Sequence, residues 1–229
     1  LPRRADCAVA SLASAGLYTL AVRVPAHSLA QALLRAVERP VVAPSANASG
    51  SLSPTKADHV RESLGARVDM ILDGGPCDVG VESTILDLTR TPAVILRPGG
   101  IGREALAEVI GDVTDAAPVT DRPSAPGQLA SHYAPGTPVR LNARDVAANE
   151  ALLAFGDDVP AGAAVTRNLS PAGDLREAAA NLFAHLHALD RMDVAGIAVV
   201  PIPETGLGAA INDRLRRAAA PRDGSSGGA

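Results

Sequence analysis

The chain has 229 residues, 47% of them apolar and 20% charged, with a net charge of −4. That length suits one large domain or two modest ones, and the apolar content supports a packed core, which excludes wholesale disorder. Aromatic residues are only 2% (Tyr18, Tyr133, Phe155 and Phe183, with no Trp), and neither residues 1–115 (11 basic, 13 acidic) nor residues 139–229 (9 basic, 11 acidic) form a basic module; an RNA-binding sheet that stacks bases and a dedicated nucleic-acid clamp are both disfavoured.

In chain order, Thr19 to Pro25 alternates and reads as a strand closed by proline. Ser28 to Val37 has helical spacing, with Leu29, Leu33, Leu34 and Val37 on one face and Ser28 as N-cap. Val41 to Ala43 reads as a short buried strand, and Pro44 to Gly50 is a loop of turn formers. Ser53-Pro54-Thr55 opens a second helix, to about Leu64. Met70 to Asp73 reads as a strand, Ser83–Leu88 and Ala93–Arg97 as paired strands, and Arg103–Ile110 as a short helix. From 116 to 138, five prolines (Pro118, Pro123, Pro126, Pro135 and Pro138) and two glycines punctuate a stretch without periodicity, read as a semi-rigid linker over 116–137. Strands near 138–141, 151–155 and 195–201 then alternate with helices, the clearest from Asp174 to Leu189 with an apolar stripe of Leu175, Ala178, Ala179, Leu182, Leu186 and Leu189. This alternation implies a small open α/β sheet over 138–220, followed by a Gly/Ser-rich tail at 221–229 that is expected to be disordered.

Cys7 and Cys77 lack CxxC spacing, which excludes a zinc ribbon and a disulfide framework and makes a reducing cytoplasm the expected setting. No run approaches 18 apolar residues, and Asp6 interrupts the only segment resembling a signal peptide. The chain opens at Leu1-Pro2 and passes at once into core-like sequence, which reads as a fragment of a longer protein.

Three polar clusters could carry chemistry. Ser45, Asn47 and Ser49 sit in a loop that precedes a helix, a possible phosphate cradle or an ordinary strand-to-helix connection. Gly80-Val81-Glu82-Ser83-Thr84 puts two hydroxyls at a strand start, and Arg97 ends an apolar strand with a guanidinium suited to phosphate or carboxylate. Arg23, in what reads as a half-buried strand, needs an acidic partner or a carboxylate ligand. His59, His185 and His187 are expected on helix surfaces, whereas Tyr133 with His132 in the linker is costly to leave in water. No Gly-x-Ser-x-Gly elbow, Walker A pattern or His-Glu-x-x-His element occurs.

Taken in order, Ala21-Val22-Arg23-Val24-Pro25, Ala43-Pro44-Ser45-Ala46-Asn47-Ala48-Ser49-Gly50, Ser53-Pro54-Thr55, Ile71-Leu72-Asp73-Gly74-Gly75, Glu82-Ser83-Thr84-Ile85 and Ile95-Leu96-Arg97-Pro98-Gly99 resemble the carboxy-terminal half of the YrdC-like domain of threonylcarbamoyl-AMP synthases. Ala125-Pro126-Gly127 with Ser131-His132-Tyr133-Ala134-Pro135 resembles the strap of the long, two-domain members, and Gly206 to Leu215 lies in what resembles their accessory domain. The resemblance implies an α/β fold: a mixed or parallel twisted YrdC-like sheet (1–115), a Pro-rich strap (116–137) and a small Rossmann-like α/β unit (138–220). It implies a nucleotidyltransferase that makes threonylcarbamoyl-AMP and pyrophosphate from L-threonine, bicarbonate and ATP with Mg²⁺. That product feeds threonylcarbamoylation of tRNA adenosine through downstream partner proteins.

Carried over by position, the resemblance assigns Arg23, Ala43 and Ser83 to threonine, and Thr19, Ser45, Asn47, Ser53, Arg97 and Tyr133 to ATP, with no side chain needed as nucleophile and no protein metal ligand. It also implies that the family's Lys-x-Arg element lies outside this chain, whose only lysine is Lys56. The central sheet is therefore expected to be incomplete, and the chain alone inactive or only part of a site. The alternatives are a carbamoyl-transferring maturation protein, a double-stranded RNA-binding module, or a non-enzymatic sensor of threonine or ATP.

Overall fold

The computed structural model describes residues 1–117, 125–127 and 132–221. Two β-sheets organise them. A three-stranded mixed sheet is formed by β1 (Ile85–Asp87), β2 (Ala93–Arg97) and β3 (Val113–Asp115). Here β1 and β2 run antiparallel, and β3 joins β2 in parallel after the crossover helix α3 (Arg103–Ile110). The second sheet has four strands, all parallel, in the order β4 (Val139–Arg140), β7 (Gly196–Val199), β5 (Glu150–Ala154), β6 (Val165–Asn168).

The parallel sheet holds most of the core. All of Ala151, Leu152, Leu153 and Ala154 are fully buried, as expected for a strand covered on both faces. Their alternation divides the core. Ala151, Leu153, Ile197 and Val199 face helices α4 (Leu175–Asp190) and α5 (Leu207–Ala219), while Leu152, Ala154, Ala198 and Val200 pack against Ala143, Val146 and Ala163 on the other side. Both helices thus cover one face, and loop residues cover the other. α4 starts where Asp174 accepts hydrogen bonds from the amides of Arg176 (2.7 Å) and Glu177 (2.8 Å), an N-cap followed by the apolar stripe that the spacing predicts.

The first 84 residues differ from expectation. Helices α1 (Ser28–Val37) and α2 (Ala57–Leu64) form, but Ser28 is the first helical residue and His27 the N-cap, and α2 begins after Lys56. The expected strands at 19–25, 41–43 and 70–73 do not form. Thr19 makes a single antiparallel bridge to Pro2, while Val22, Val24, Val41, Val42, Met70 and Leu72 stay exposed. β-propensity makes a strand only where a neighbour completes its hydrogen bonds, and no strand among the described residues lies beside these segments. α1 accordingly buries nothing, and Leu29, Leu33 and Val37 remain on its surface. Two short strands, β3 and β6, were not expected, and β1 is shorter than expected. Of the tail expected at 221–229, residues 222–229 lie outside the described residues, as do 118–124 and 128–131 of the strap expected at 116–137.

The two sheets meet along α2, α4 and α5. Leu52, Val81 and Tyr133 join the core of the parallel sheet. Gly80, at φ 73°, brings its backbone against α4, where a Cβ would come within 2.1 Å of the Ala179 carbonyl oxygen. The histidines correct the surface expectation: His59 is 2% exposed and its ring stacks on His187 of α4, centroids 3.9 Å apart, while His185 and His187 are half-buried. His59 Nδ1 accepts the Thr55 amide (3.2 Å), and His187 Nε2 donates to the Ser53 carbonyl (3.1 Å). An exposed Arg191–Glu62 ion pair closes the same seam.

Leu182 is fully buried between α4 and the sheet, so Leu182→Ala should cost about 3 kcal/mol in denaturant unfolding. Burial, and then the nearby charges of His187, Lys56 and Arg191, hold His59 down at about 4 from 6.5. The folded state therefore favours neutral His59, whereas the unfolded chain takes up a proton near 6.5. Stability is full above about 6.5 and falls as pH drops towards 4, with no further loss from this group below that. Thermal melts across this range should show the decline, and His59→Gln should flatten part of it.

Candidate active site

Glu82-Ser83, just before β1, and Arg97, ending β2, are brought together by the antiparallel pairing of those strands, which sets Ile85 opposite Arg97. Arg97 donates to the Ser83 carbonyl through Nε (3.2 Å) and Nη2 (2.8 Å), and Nη1 reaches the Pro126 carbonyl of the strap (3.5 Å). The Ser83 hydroxyl accepts from Arg23 Nη1 (3.2 Å). Arg23 is exposed and lies in no strand, so the expected charge in a half-buried strand is corrected: its partner is a hydroxyl, and its guanidinium faces water. Two arginines thus flank Ser83.

Ser53 donates to Glu82 Oε1 (2.5 Å). Glu82 Oε2 accepts from Arg214 Nε of α5 (2.7 Å), whose Nη1 also reaches Asp213 (2.7 Å) and the Pro98 carbonyl (2.9 Å). Arg214 has no exposed surface. Burial alone would raise the Glu82 carboxyl, but Arg214's charge and the hydrogen bonds from Ser53 and Arg214 outweigh it and hold it below the usual range. Burial likewise opposes the charge on Arg214, yet Glu82, Tyr133 and Asp213 together raise it above the ordinary value. On Arg97 burial wins and pushes the guanidinium down.

Tyr133 is 2% exposed and sits in the left-handed region at φ 58°. Its ring lies 5.1 Å from the Arg214 guanidinium carbon and packs against Phe183, and its phenol interacts with Arg97. Burial raises the phenol above its usual range. Gly127 makes room for it, because a Cβ there would come within 2.3 Å of the Tyr133 oxygen. The strap is tied on both sides: the Ala134 amide donates to the Gly50 carbonyl (2.9 Å), the His132 amide to the Arg217 carbonyl (3.3 Å), and the Gly136 and Thr137 amides to Asp190 (2.9 and 2.8 Å).

Of the nine positions singled out in the sequence, Arg23, Ser83, Arg97, Tyr133 and Ser53 therefore share one network, with Ser53 joined through Glu82. Asn47 lies in the adjacent loop. Its amide nitrogen donates to the carbonyls of Ala48 (2.9 Å) and Ser51 (3.1 Å), which leaves a buried Oδ1 with no donor among the described residues. Thr19, Ala43 and Ser45 are exposed, and no side-chain contact joins them to this network among the described residues. Sequence reasoning gave no role to Glu82 or to Arg214, which lies within the Gly206 to Leu215 segment. The available signal was Glu82 at a strand start, immediately before the two hydroxyls, where a carboxylate near buried positions demands a cation.

Residues 1–99 match the Sua5–YciO–YrdC family model, described as "Telomere recombination", and residues 101–220 match "Threonylcarbamoyl-AMP synthase, C-terminal domain". The chain is 40% identical to the threonylcarbamoyl-AMP synthase of Pyrococcus abyssi over 219 residues, covering 89% of this chain and 64% of that protein. It is 37% identical to the Bacillus subtilis enzyme of the same name over 239 residues, covering 97% and 69%. The crystal structure of P. abyssi Sua5 complexed with L-threonine superposes with a TM-score of 0.85 at 36% identity, covering 96% of this chain and 68% of that one. The chain thus spans about two thirds of the length of these relatives. With both family models matched in order and the fold shared across nearly all of its residues, the chain belongs to the threonylcarbamoyl-AMP synthase family.

Proposed function

We propose that the protein is an L-threonylcarbamoyladenylate synthase, a cytoplasmic nucleotidyltransferase that converts L-threonine, bicarbonate and ATP into threonylcarbamoyl-AMP and pyrophosphate. The observation that carries this reading is the Arg23–Ser83–Arg97 chain with Tyr133 closing on Arg97. It sets two cations side by side, one open to solvent and one under the strap, and the reaction joins two anions.

In this reading Arg23 and the Ser83 hydroxyl take the threonine carboxylate, with the Ala43 backbone beside them. Arg97, Ser53, Asn47, Ser45 and Thr19 take ATP, and Tyr133 shuts the nucleotide in. The buried Asn47 Oδ1, lacking a protein donor among the described residues, suits an N–H or O–H of the nucleotide. The threonine amine and bicarbonate condense to a carbamate, the new C–N bond forming as a bicarbonate C–O bond breaks and water leaves, and a carbamate oxygen then attacks the α-phosphorus. The new P–O bond forms as the bond from that phosphorus to the β-phosphate oxygen breaks, and pyrophosphate leaves. Positioning and charge neutralisation supply the rate, and no side chain is needed as nucleophile. The strap excludes water from a mixed anhydride that hydrolyses readily.

Mg²⁺ is proposed as the companion of ATP's phosphates. Glu82, the carboxylate nearest the network, is already engaged by Ser53 and Arg214, and among the described residues no cluster of three or more His, Cys, Asp or Glu side chains lies together. The product would pass to tRNA-modifying partner proteins.

Threonine-dependent pyrophosphate release, with ATP, Mg²⁺ and bicarbonate, tests this on the chain and on the full-length product of its gene. Release by the full-length protein is expected, while this chain, without a Lys-x-Arg element, is expected to be silent. Arg97→Ala should lower kcat/KM by about 100-fold, the order expected when a preorganised charge is lost. Arg23→Ala should mainly raise the KM for threonine. A folded full-length protein that releases no pyrophosphate, yet binds double-stranded RNA in a salt-dependent way, would replace the synthase reading with the RNA-binding one.

A further inference from the structure

Arg214 is not among the nine positions singled out in the sequence. It lies on α5 in the second unit, 132 residues after Glu82, yet it is the most buried cation of the network. Of its five N–H donors, Nε–H goes to Glu82, the Nη1 pair to Pro98 and Asp213, and Nη2 has no hydrogen-bond acceptor among the described residues. The Tyr133 ring is the electron-rich group beside it. One guanidinium thus touches three parts of the cleft: the carboxylate that aims the Ser53 hydroxyl, the backbone that follows Arg97, and the ring of the strap.

We propose that Arg214 is a positioning residue for the adenylation reaction, through which the C-terminal unit sets both the Glu82–Ser53 pair and the closed position of Tyr133. The inference rests on the synthase reading for its catalytic consequence, though not for its structural one. Glu82 without Arg214 would be a buried carboxylate lacking a cation, and it would turn to solvent or take up a proton. The first change releases Ser53 from its 2.5 Å contact, and the second weakens that contact by removing the acceptor's charge. Tyr133, held in a left-handed conformation that a bulky residue rarely adopts, would lose the cation beneath its ring. The threonine pair Arg23–Ser83 shares no hydrogen bond with Arg214 among the described residues, so it should be affected least.

The molecule supplies its own probe. It contains two tyrosines and no tryptophan, and Tyr18 is exposed whereas Tyr133 is buried. In a Tyr18→Phe background, tyrosine emission comes from Tyr133 alone, and acrylamide quenching reads its shielding. Arg214→Lys, Arg214→Met and Arg214→Met/Glu82→Gln would be compared with this parent, the double variant leaving no unpaired buried charge should the Met variant unfold. Circular dichroism and thermal melts check folding.

In the folded variants, Tyr133 quenching should rise several-fold. In the full-length protein kcat should fall about tenfold or more while the KM for threonine stays within about threefold, with Arg214→Lys recovering part of the loss. A folded Met or double variant with Tyr133 as shielded as in the parent would overturn the proposal. So would one that keeps kcat within about threefold of the parent. If the unmutated full-length protein releases no pyrophosphate, the synthase reading fails by itself, and the quenching result still decides whether Arg214 holds the strap.

Discussion

A guanidinium cannot shed its charge inside a protein, so one with no exposed surface dictates what surrounds it. Arg214 draws together a carboxylate from the loop before β1, its own neighbour Asp213, a carbonyl from the end of β2 and the ring of Tyr133. These come from four separate stretches of chain. The relative position of the mixed sheet, the strap and α5 is thereby defined by one side chain. Such a pair adds little net stability beside apolar packing of the same volume, but leaving one partner alone in the interior costs about 3–5 kcal/mol. Its contribution is geometric: it admits one arrangement of the surrounding elements and penalises the others.

Packing energy is distributed unevenly around that constraint. The parallel sheet with α4 and α5 contains most of the fully buried apolar side chains, whereas α1 and the segments around Val22, Val42 and Met70 leave theirs in water. The polar network lies at the boundary, anchored on the well-packed side by Arg214, Tyr133 and His187 and reaching the open side through Ser83 and Arg23. A rigid support on one side and an accessible cation on the other is a suitable arrangement for capturing a small anionic substrate and then enclosing it.

The elements read correctly from sequence are those whose signal is local. α4 carries its cap and stripe within 16 residues, and β2 and α3 are bounded by proline and glycine. β3 and β6 were missed because three or four residues such as Val165 to Asn168 show no period, and their strand character comes from the neighbour they pair with. The same dependence on a partner undid the opposite expectation at 19–25. At the site, Arg23, Ser83 and Arg97 were visible because each is a polar residue at the end of, or within, an apolar run. His59 was misread because its burial depends on a ring from α4, 128 residues further on. Glu82 and Arg214 had no legible roles for the same reason: nothing in the spacing of either links two charges so far apart.

That distance matters for how the protein is made. Chain growth is vectorial, and local structure forms in far less time than the ribosome needs to add 100 residues. Ser53, Glu82 and the strands bearing Ser83 and Arg97 emerge well before α5. Until Arg214 has been translated and α5 has docked, Glu82 lacks this cation and stays hydrated, with Ser53 unaimed and the Tyr133 ring without the charge beside it. The cleft is thus completed late, which delays a competent arrangement of its polar groups until the second unit has folded.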